Sequence, residues 1–241
     1  MTSLLRARGL TMHYPGGAAP ALDAVDLDIA PGTSVAIMGA SGSGKTTLLH
    51  CLAGILRPTA GSVTFASGAG PVEVASLDDD GRARLRREEL GFVFQQGLLL
   101  NELTALENVA VARMLAGVPR AQAETEAGQW LVHLGLGGME QRRLGELSGG
   151  QAQRVAIARA QVTGARLIFA DEPTGALDSA TSVEVLDLLL AAVVAGRTLV
   201  VVTHDADVAR RCGRTVVLRD GRVVSDTARV APAASVQEAA R

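Results

Sequence analysis

The chain has 241 residues, 48% of them apolar, and a formal net charge of −2. That length can bury a sizeable core, as one large domain or a core with a subdomain, and the slightly acidic balance does not point to a nucleic-acid surface or an anionic membrane. Two cysteines, Cys51 and Cys212, exclude a disulfide framework; each reads as a small buried hydrophobe in a reducing compartment.

The first eight residues, Met1 to Arg8, lack the apolar core of a signal peptide. A first strand is expected to end near Tyr14, where Pro15-Gly16-Gly17 makes a turn. Val25, Leu27 and Ile29 alternate with Asp26 and Asp28, a half-buried strand with its charges outward. Pro31-Gly32 turns the chain into Ser34-Val35-Ala36-Ile37-Met38, a short apolar strand, and Thr47 to Ala53 is good helix material stopping at Gly54.

Gly61 to Phe65 is another strand, Gly68-Ala69-Gly70-Pro71 a loop, and the charge run Asp78 to Glu89 a solvated helical face. Gly91 to Phe94 is a buried strand ending on Gln95-Gln96. From Leu98 to about Gln141 the pattern is helical: Thr104 and Glu107 form a capping box, Pro119 opens a second helix, and Gly135 to Gly138 breaks it. Trp130 and His133 read as packing residues there.

A helix is expected from about Gln151 to Val162. Leu167 to Ala170 is a fully buried parallel strand with Asp171-Glu172 at its tip. Next comes a helix with Val183, Leu186, Leu190 and Val193 on one face, in the longest apolar tract. That tract runs from about Val183 to Ala195, carries Glu184 and Asp187, and is too short to span a bilayer, so a cytosolic protein is expected. Thr198 to Val202 is a buried strand ending at Thr203-His204. Val216–Leu218 and Val223–Val224 flank an Asp220-Gly221 hairpin turn, and the alanine-rich stretch from Thr227 reads as a frayed tail or short helix.

The chemistry centres on Gly39-Ala40-Ser41-Gly42-Ser43-Gly44-Lys45-Thr46, which matches G-x-x-x-x-G-K-[ST] between a strand and a helix. Glycines let backbone N–H groups turn inward around phosphates at the positive end of the helix dipole. Lys45 would reach the β- and γ-phosphates of a nucleotide and the Thr46 hydroxyl would bind Mg²⁺. Lys45 is also the only lysine in the chain, kept where a compact ammonium fits and a planar guanidinium does not.

In an open parallel sheet, ligands sit beyond the carboxyl ends of the strands. Asp171 there would hold Mg²⁺, and Glu172 could orient or deprotonate an attacking water; the bland alternative is a helix cap before Pro173. His204 at another strand tip suits contact with the γ-phosphate, the bland alternative being a core histidine. Tyr14, alone, reads as an ordinary core or surface aromatic.

Leu147-Ser148-Gly149-Gly150-Gln151, shortly before Asp171-Glu172, resembles the signature of ABC-type ATPases, and the resemblance covers nearly the whole chain. It implies an α/β fold: a RecA-like P-loop NTPase core (residues 1–95 and 161–226), with an N-terminal antiparallel β subdomain. A helical subdomain with the signature (96–160) and a tail (227–241) complete the expected division. By family order Tyr14 matches the adenine-stacking aromatic, Gln95 the Q-loop glutamine that contacts Mg²⁺, Gly175 to Asp178 the D-loop and His204 the switch histidine. Glu172, His204 and Gln95 are then the expected catalytic residues. Gly39, Ser41, Gly42, Gly44, Lys45, Thr46 and Thr47, with Tyr14, are expected to hold ATP, and Thr46, Gln95 and Asp171 the Mg²⁺.

Ser148, Gly149, Gly150 and Gln151, with Asp178, are implied to complete the site of a second copy or a homologous ATPase, arranged head to tail. Leu85-Arg86-Arg87, Leu103 to Val109 and Asp171 to Gly175 are similar to the lipoprotein-release, macrolide-export and peptide-resistance group. That implies a separate integral membrane permease as partner, no nucleic acid, and a peripheral place on the inner face of the cell membrane. Ala152, where glutamine is usual, and the 66–73 loop depart from the group's pattern. A soluble relative acting on DNA or ribosomes is the alternative, but such relatives usually carry coiled-coil inserts, zinc cysteines or fused ATPase pairs with a basic linker.

Overall fold

A computed structural model of the chain describes residues 3–17, 19–95 and 98–227. Gln96, expected at the strand end, and residues 228–241 of the expected tail lie outside the described residues.

β1 (Leu5–Met12) pairs antiparallel with β2 (Leu22–Ile29). β2 begins ahead of the expected alternation because Ala24 takes a left-handed conformation (φ 50), and that irregularity leaves both Leu22 and Val25 buried. β3 (Ser34–Met38) feeds the glycine loop and α1 (Lys45–Leu52). β4 (Ala60–Ser67) pairs along the other edge of β1, and β5 (Gly70–Glu73) along β4. The expected 68–71 loop is therefore only a tight turn. Pro71, which has no N–H to give a ladder, is tolerated because β5 is an edge strand.

α2 (Asp79–Glu89) is capped by the Asp78 carboxylate and buries only Leu85, as a solvated helix should. β6 (Leu90–Phe94) leads to the helical insert: α3 (Ala105–Leu115), with the Thr104–Glu107 capping box in place, and α4 (Arg120–His133). Trp130 packs half-buried against the core, whereas His133 is exposed and meets the indole edge-on at 5.6 Å. Then come α5 (Gly149–Val162), β7 (Leu167–Asp171), α6 (Ser179–Val194), β8 (Thr198–Thr203), α7 (Ala206–Arg211), β9 (Arg214–Arg219) and β10 (Arg222–Asp226). Asp220 and Gly221 both have positive φ, the geometry a two-residue hairpin turn demands.

α6 is rotated from its expected orientation. It buries Val185, Leu186, Leu189 and Ala192, and Val183 is 52% exposed. Two ion pairs accompany that orientation, Glu184 with Arg154 and Asp187 with Arg211.

The strands form two sheets, an antiparallel one ordered β2-β1-β4-β5 and a six-stranded one ordered β10-β9-β3-β8-β7-β6, parallel except for β10. Alternate residues of β7 and β8 feed two apolar clusters. Leu167, Phe169, Val200 and Val202 join α1 and the antiparallel sheet, while Ile168, Ala170, Leu199 and Val201 join α3 to α6. The layers are those expected: an α/β core with an antiparallel subdomain and inserted helices.

Phe169 is 1% exposed and stacks on Phe92 at 5.9 Å, at the centre of the first cluster. Phe169→Ala is expected to cost about 3–5 kcal/mol of unfolding free energy in denaturant titration. A cost below about 1 kcal/mol would contradict its place in that core.

Candidate functional site

Gly44 is the N-cap of α1 in a left-handed conformation (φ 99), and a Cβ there would lie 2.3 Å from the Ala21 carbonyl oxygen. A Cβ at Gly39 would lie 2.3 Å from the Leu218 carbonyl oxygen. No side chain fits at either position, so the chain wraps tightly where it enters α1, the helix end whose free N–H groups suit an anion. Lys45 is 8% exposed, and its Nζ donates to the carbonyls of Gly39 (2.8 Å) and Ala40 (3.0 Å). Ser43 Oγ is buried without a hydrogen-bond partner among the described residues, a polar group left over inside the cradle.

Because β3, β6, β7 and β8 run parallel, their C-terminal ends open on one side of the sheet. Thr46 Oγ1 donates to Asp171 Oδ1 at 3.4 Å, joining the loop to the tip of β7. Burial pushes the Asp171 carboxyl above the ordinary aspartate range. The Thr46 bond and the nearby His50 and Lys45 charges pull it back in part, and Glu172 adds to the rise.

Glu172, one residue further, has φ 47, a left-handed conformation that costs a non-glycine residue on the order of 1 kcal/mol or more. It is held there by its N–H, which donates to the Val202 carbonyl at 2.9 Å. Its side chain is held as well: Oε1 lies 2.9 Å from His204 Nδ1, and Oε2 accepts from Thr203 Oγ1 at 3.4 Å. The carboxylate is thus aimed by a fixed backbone and two neighbours, while His204 stays 70% exposed.

A cleft of about 700 Å³ gathers Tyr14, Ser41, Gly42, Gly44, Lys45, Thr46, Thr47, Gln95, Glu172 and His204. The Tyr14 hydroxyl is 3.3 Å from Thr47 Oγ1, so the ring stands over the first turn of α1 at the rim. Gln95 adjoins Gly175, where a Cβ would lie 3.0 Å from its Nε2; the glycine leaves room for the carboxamide. Asp171 lies beside this cleft, lining a smaller recess with Thr46, Gln95 and Glu172. A cradle of N–H groups, an ammonium, hydroxyl and carboxylate oxygens and an aimed glutamate can bind a polyphosphate and activate water.

The expected partner-facing residues lie elsewhere. Ser148 caps α5, its Oγ accepting from Gln151 N at 3.2 Å while Gln151 Oε1 accepts from Ser148 N at 2.9 Å. The helix thus starts two residues before the expected Gln151. A Cβ at Gly150 would lie 2.4 Å from Thr181 Cγ2, so the glycine seats this turn on the start of α6. Asp178 caps α6 by accepting from Thr181 N, and that bond, with the Thr181 hydroxyl, holds its carboxyl below the ordinary range. None of Ser148, Gly149, Gly150, Gln151 and Asp178 lines the cleft. The sequence reading missed Thr203, whose hydroxyl braces Glu172, and Gln153, buried beneath the site. A buried glutamine two residues past a glycine motif carries no periodic signal that would single it out.

Residues 22–175 match the family described as ABC transporter. A macrolide export ATP-binding/permease protein, MacB 1/2, of Paracoccus denitrificans is 49% identical over 96% of this chain and 34% of its own length. A pyoverdine export ATP-binding/permease protein, PvdT, of Pseudomonas fluorescens is 46% identical over 94% of this chain and 34% of its own length. The chain thus spans about a third of the length of these curated relatives. Among solved structures, the dimeric post-hydrolysis state of the ATP-binding cassette MJ0796, bound to ADP and Pi, superposes with a TM-score of 0.84 and 38% identity. That match covers 92% of this chain and 97% of the other.

The raised Asp171 pKa has a sign that can be checked. The unfolded chain ionises this carboxyl more readily than the folded one, so it subtracts stability above the ordinary aspartate range and nothing where both states are protonated. Asp171→Asn is expected to raise the Tm at neutral pH in chelator without nucleotide, the gap narrowing as pH falls toward about 4. A neutral-pH Tm at or below that of the unaltered chain would contradict the buried-charge account.

Proposed function

The chain belongs to the ABC transporter family, and we propose that it is the ATP-hydrolysing motor of an export or mechanotransmission system working on a membrane permease. The observation that carries this reading is the convergence of the glycine loop, Glu172, His204 and Gln95 on one cleft. The match to a cassette bound to ADP and Pi supports hydrolysis as its chemistry.

In this reading the loop glycines, Ser41, Thr46 and Thr47 hold the phosphates through N–H and hydroxyl groups. Lys45 gives up its two carbonyl partners to meet them, and the Tyr14 ring carries the adenine. Thr46 Oγ1, Asp171 and Gln95 offer hard oxygen donors, a set that suits Mg²⁺ and leaves positions for phosphate and water. Mg²⁺ bound there would neutralise phosphate charge. Glu172 orients the attacking water and takes its proton, and His204 holds Glu172 and faces the γ-phosphate.

The exposed cap at Ser148, with Gly149, Gly150, Gln151 and Asp178, serves the nucleotide of a second cassette, its own copy or a homologue. ATP closes that pair head to tail. The dimeric state of the MJ0796 cassette supports the arrangement. Residues 1–95 and 161–226 act as the ATPase body and 96–160 as the helical arm, although α5 runs unbroken to Val162 across that boundary.

The permease docks in an apolar groove of about 570 Å³ next to Gln95, lined by Ile55, Phe92, Phe94, Leu98, Leu115 and Arg87, with Leu98 58% and Leu115 64% exposed. It is a separate chain or further length of the same protein; the relatives' names join ATP-binding and permease in one. Among the described residues no helix is long and apolar enough to cross a membrane. A place on the inner face of the membrane then comes through the permease. The export class, not macrolide or pyoverdine, is what we carry over from the relatives.

Glu172→Gln is expected to bind ATP, to form an ATP-dependent dimer by light scattering, and to lower turnover roughly a hundredfold or more. Normal turnover in that variant would remove Glu172 from the water-activating role. Lys45→Ala is expected to lose at least about tenfold in ATP affinity by calorimetry. Unchanged binding would overturn the phosphate-loop reading.

A further inference from the structure

Gln153 sits in the second turn of α5 and is 3% exposed. Its Nε2 donates to the Phe94 carbonyl at 3.0 Å and to the Pro173 carbonyl at 2.8 Å. Phe94 is the residue before Gln95, and Pro173 is the residue after Glu172. One carboxamide thus gives its two N–H donors to the two backbone segments that carry the cleft's glutamine and glutamate. Those segments leave adjacent strands, Phe94 pairing with Asp171 across β6 and β7. The helix that supplies Gln153 begins at Ser148 and the signature glycines.

We propose that Gln153 is a positioning residue that fixes Gln95 and Glu172 relative to each other and ties both to the signature helix, so that a displacement of α5 reaches the water-activating end of the site. The proposal rests on the ATP-hydrolysis reading above. A glutamine buried only for packing would need partners too. What distinguishes Gln153 is that both of its acceptors flank site residues, one at the end of β6 next to Gln95 and one after β7 next to Glu172. Its contacts touch nothing at the phosphate loop or Tyr14, so losing them disturbs the geometry of attack and leaves the grip on ATP intact.

The test uses the purified 241-residue chain, with ATP and Mg²⁺, as wild type, Gln153→Met and Gln153→Glu. Absence of ATP turnover in the wild type sinks the underlying reading, separately from this proposal. Gln153→Met keeps the volume and loses both donors. Its kcat is expected to fall roughly tenfold to a hundredfold while ATP affinity stays within about twofold.

Gln153→Glu places a buried carboxyl against two carbonyl oxygens, which favours its protonated form, and that form restores one donated bond. Its activity relative to wild type is therefore expected to rise as pH is lowered from about 8 to about 6. Wild-type kcat in Gln153→Met, or kcat, ATP affinity and Tm declining together, overturns the proposal. So does a pH-independent ratio for Gln153→Glu, which decides alone if Gln153→Met does not fold. Failure of both variants to fold assigns the residue to packing and overturns it as well.

Discussion

The hydrogen-bond ladders of the six-stranded sheet set Met38 beside Thr203, Val202 beside Asp171, and Asp171 beside Phe94. Because these strands run parallel, the chain leaves each of them at the same edge, and the next residues are Gly39, His204, Glu172 and Gln95. Groups separated by more than a hundred residues in sequence thus arrive together at one edge of the sheet. The alternation of β7 makes the register unforgiving. A slip of one residue would turn Phe169 and Leu167 out of one apolar cluster and Ile168 and Ala170 out of the other.

The two clusters, one on each face, hold the strands firmly enough for their tips to sit in unfavourable states. Asp171 keeps a carboxyl that burial disfavours, and Glu172 keeps a left-handed backbone. Each costs free energy that packing below the tips offsets, a pattern expected where local strain serves a function. The bonds around Glu172 show how the strain is held: its N–H to the Val202 carbonyl, its oxygens to Thr203 and His204.

Much of this was legible because the informative signals are local. A strand, a glycine loop and a helix announce themselves in sequence order, as do the capping box at Thr104 and the Asp220-Gly221 turn. What was hidden depends on neighbours far along the chain. The pairing of β5 is decided by the free edge of β4, and Gly70-Pro71 reads as a loop until that edge is known. The buried face of α6 goes with ion pairs to Arg154 and Arg211, one earlier and one later in the chain, which its own apolar spacing cannot reveal. Gln153 is the extreme case: its partners are main-chain carbonyls, and a carbonyl leaves no mark on residue identity.

Of the 23 lysine and arginine residues only Lys45 is a lysine, and its Nζ is folded over the loop with the side chain nearly covered. Guanidinium groups do not react with the acylating reagents that attack primary amines, so the folded chain offers such reagents almost no side-chain target. Between copies of this chain, lysine-directed cross-linkers have only Lys45 and the α-amine to act on, so an absence of cross-links is no argument against an assembly. The same scarcity makes an acyl label on a lysine side chain a reporter of a single loop, taken up when Lys45 comes free and excluded while it stays engaged.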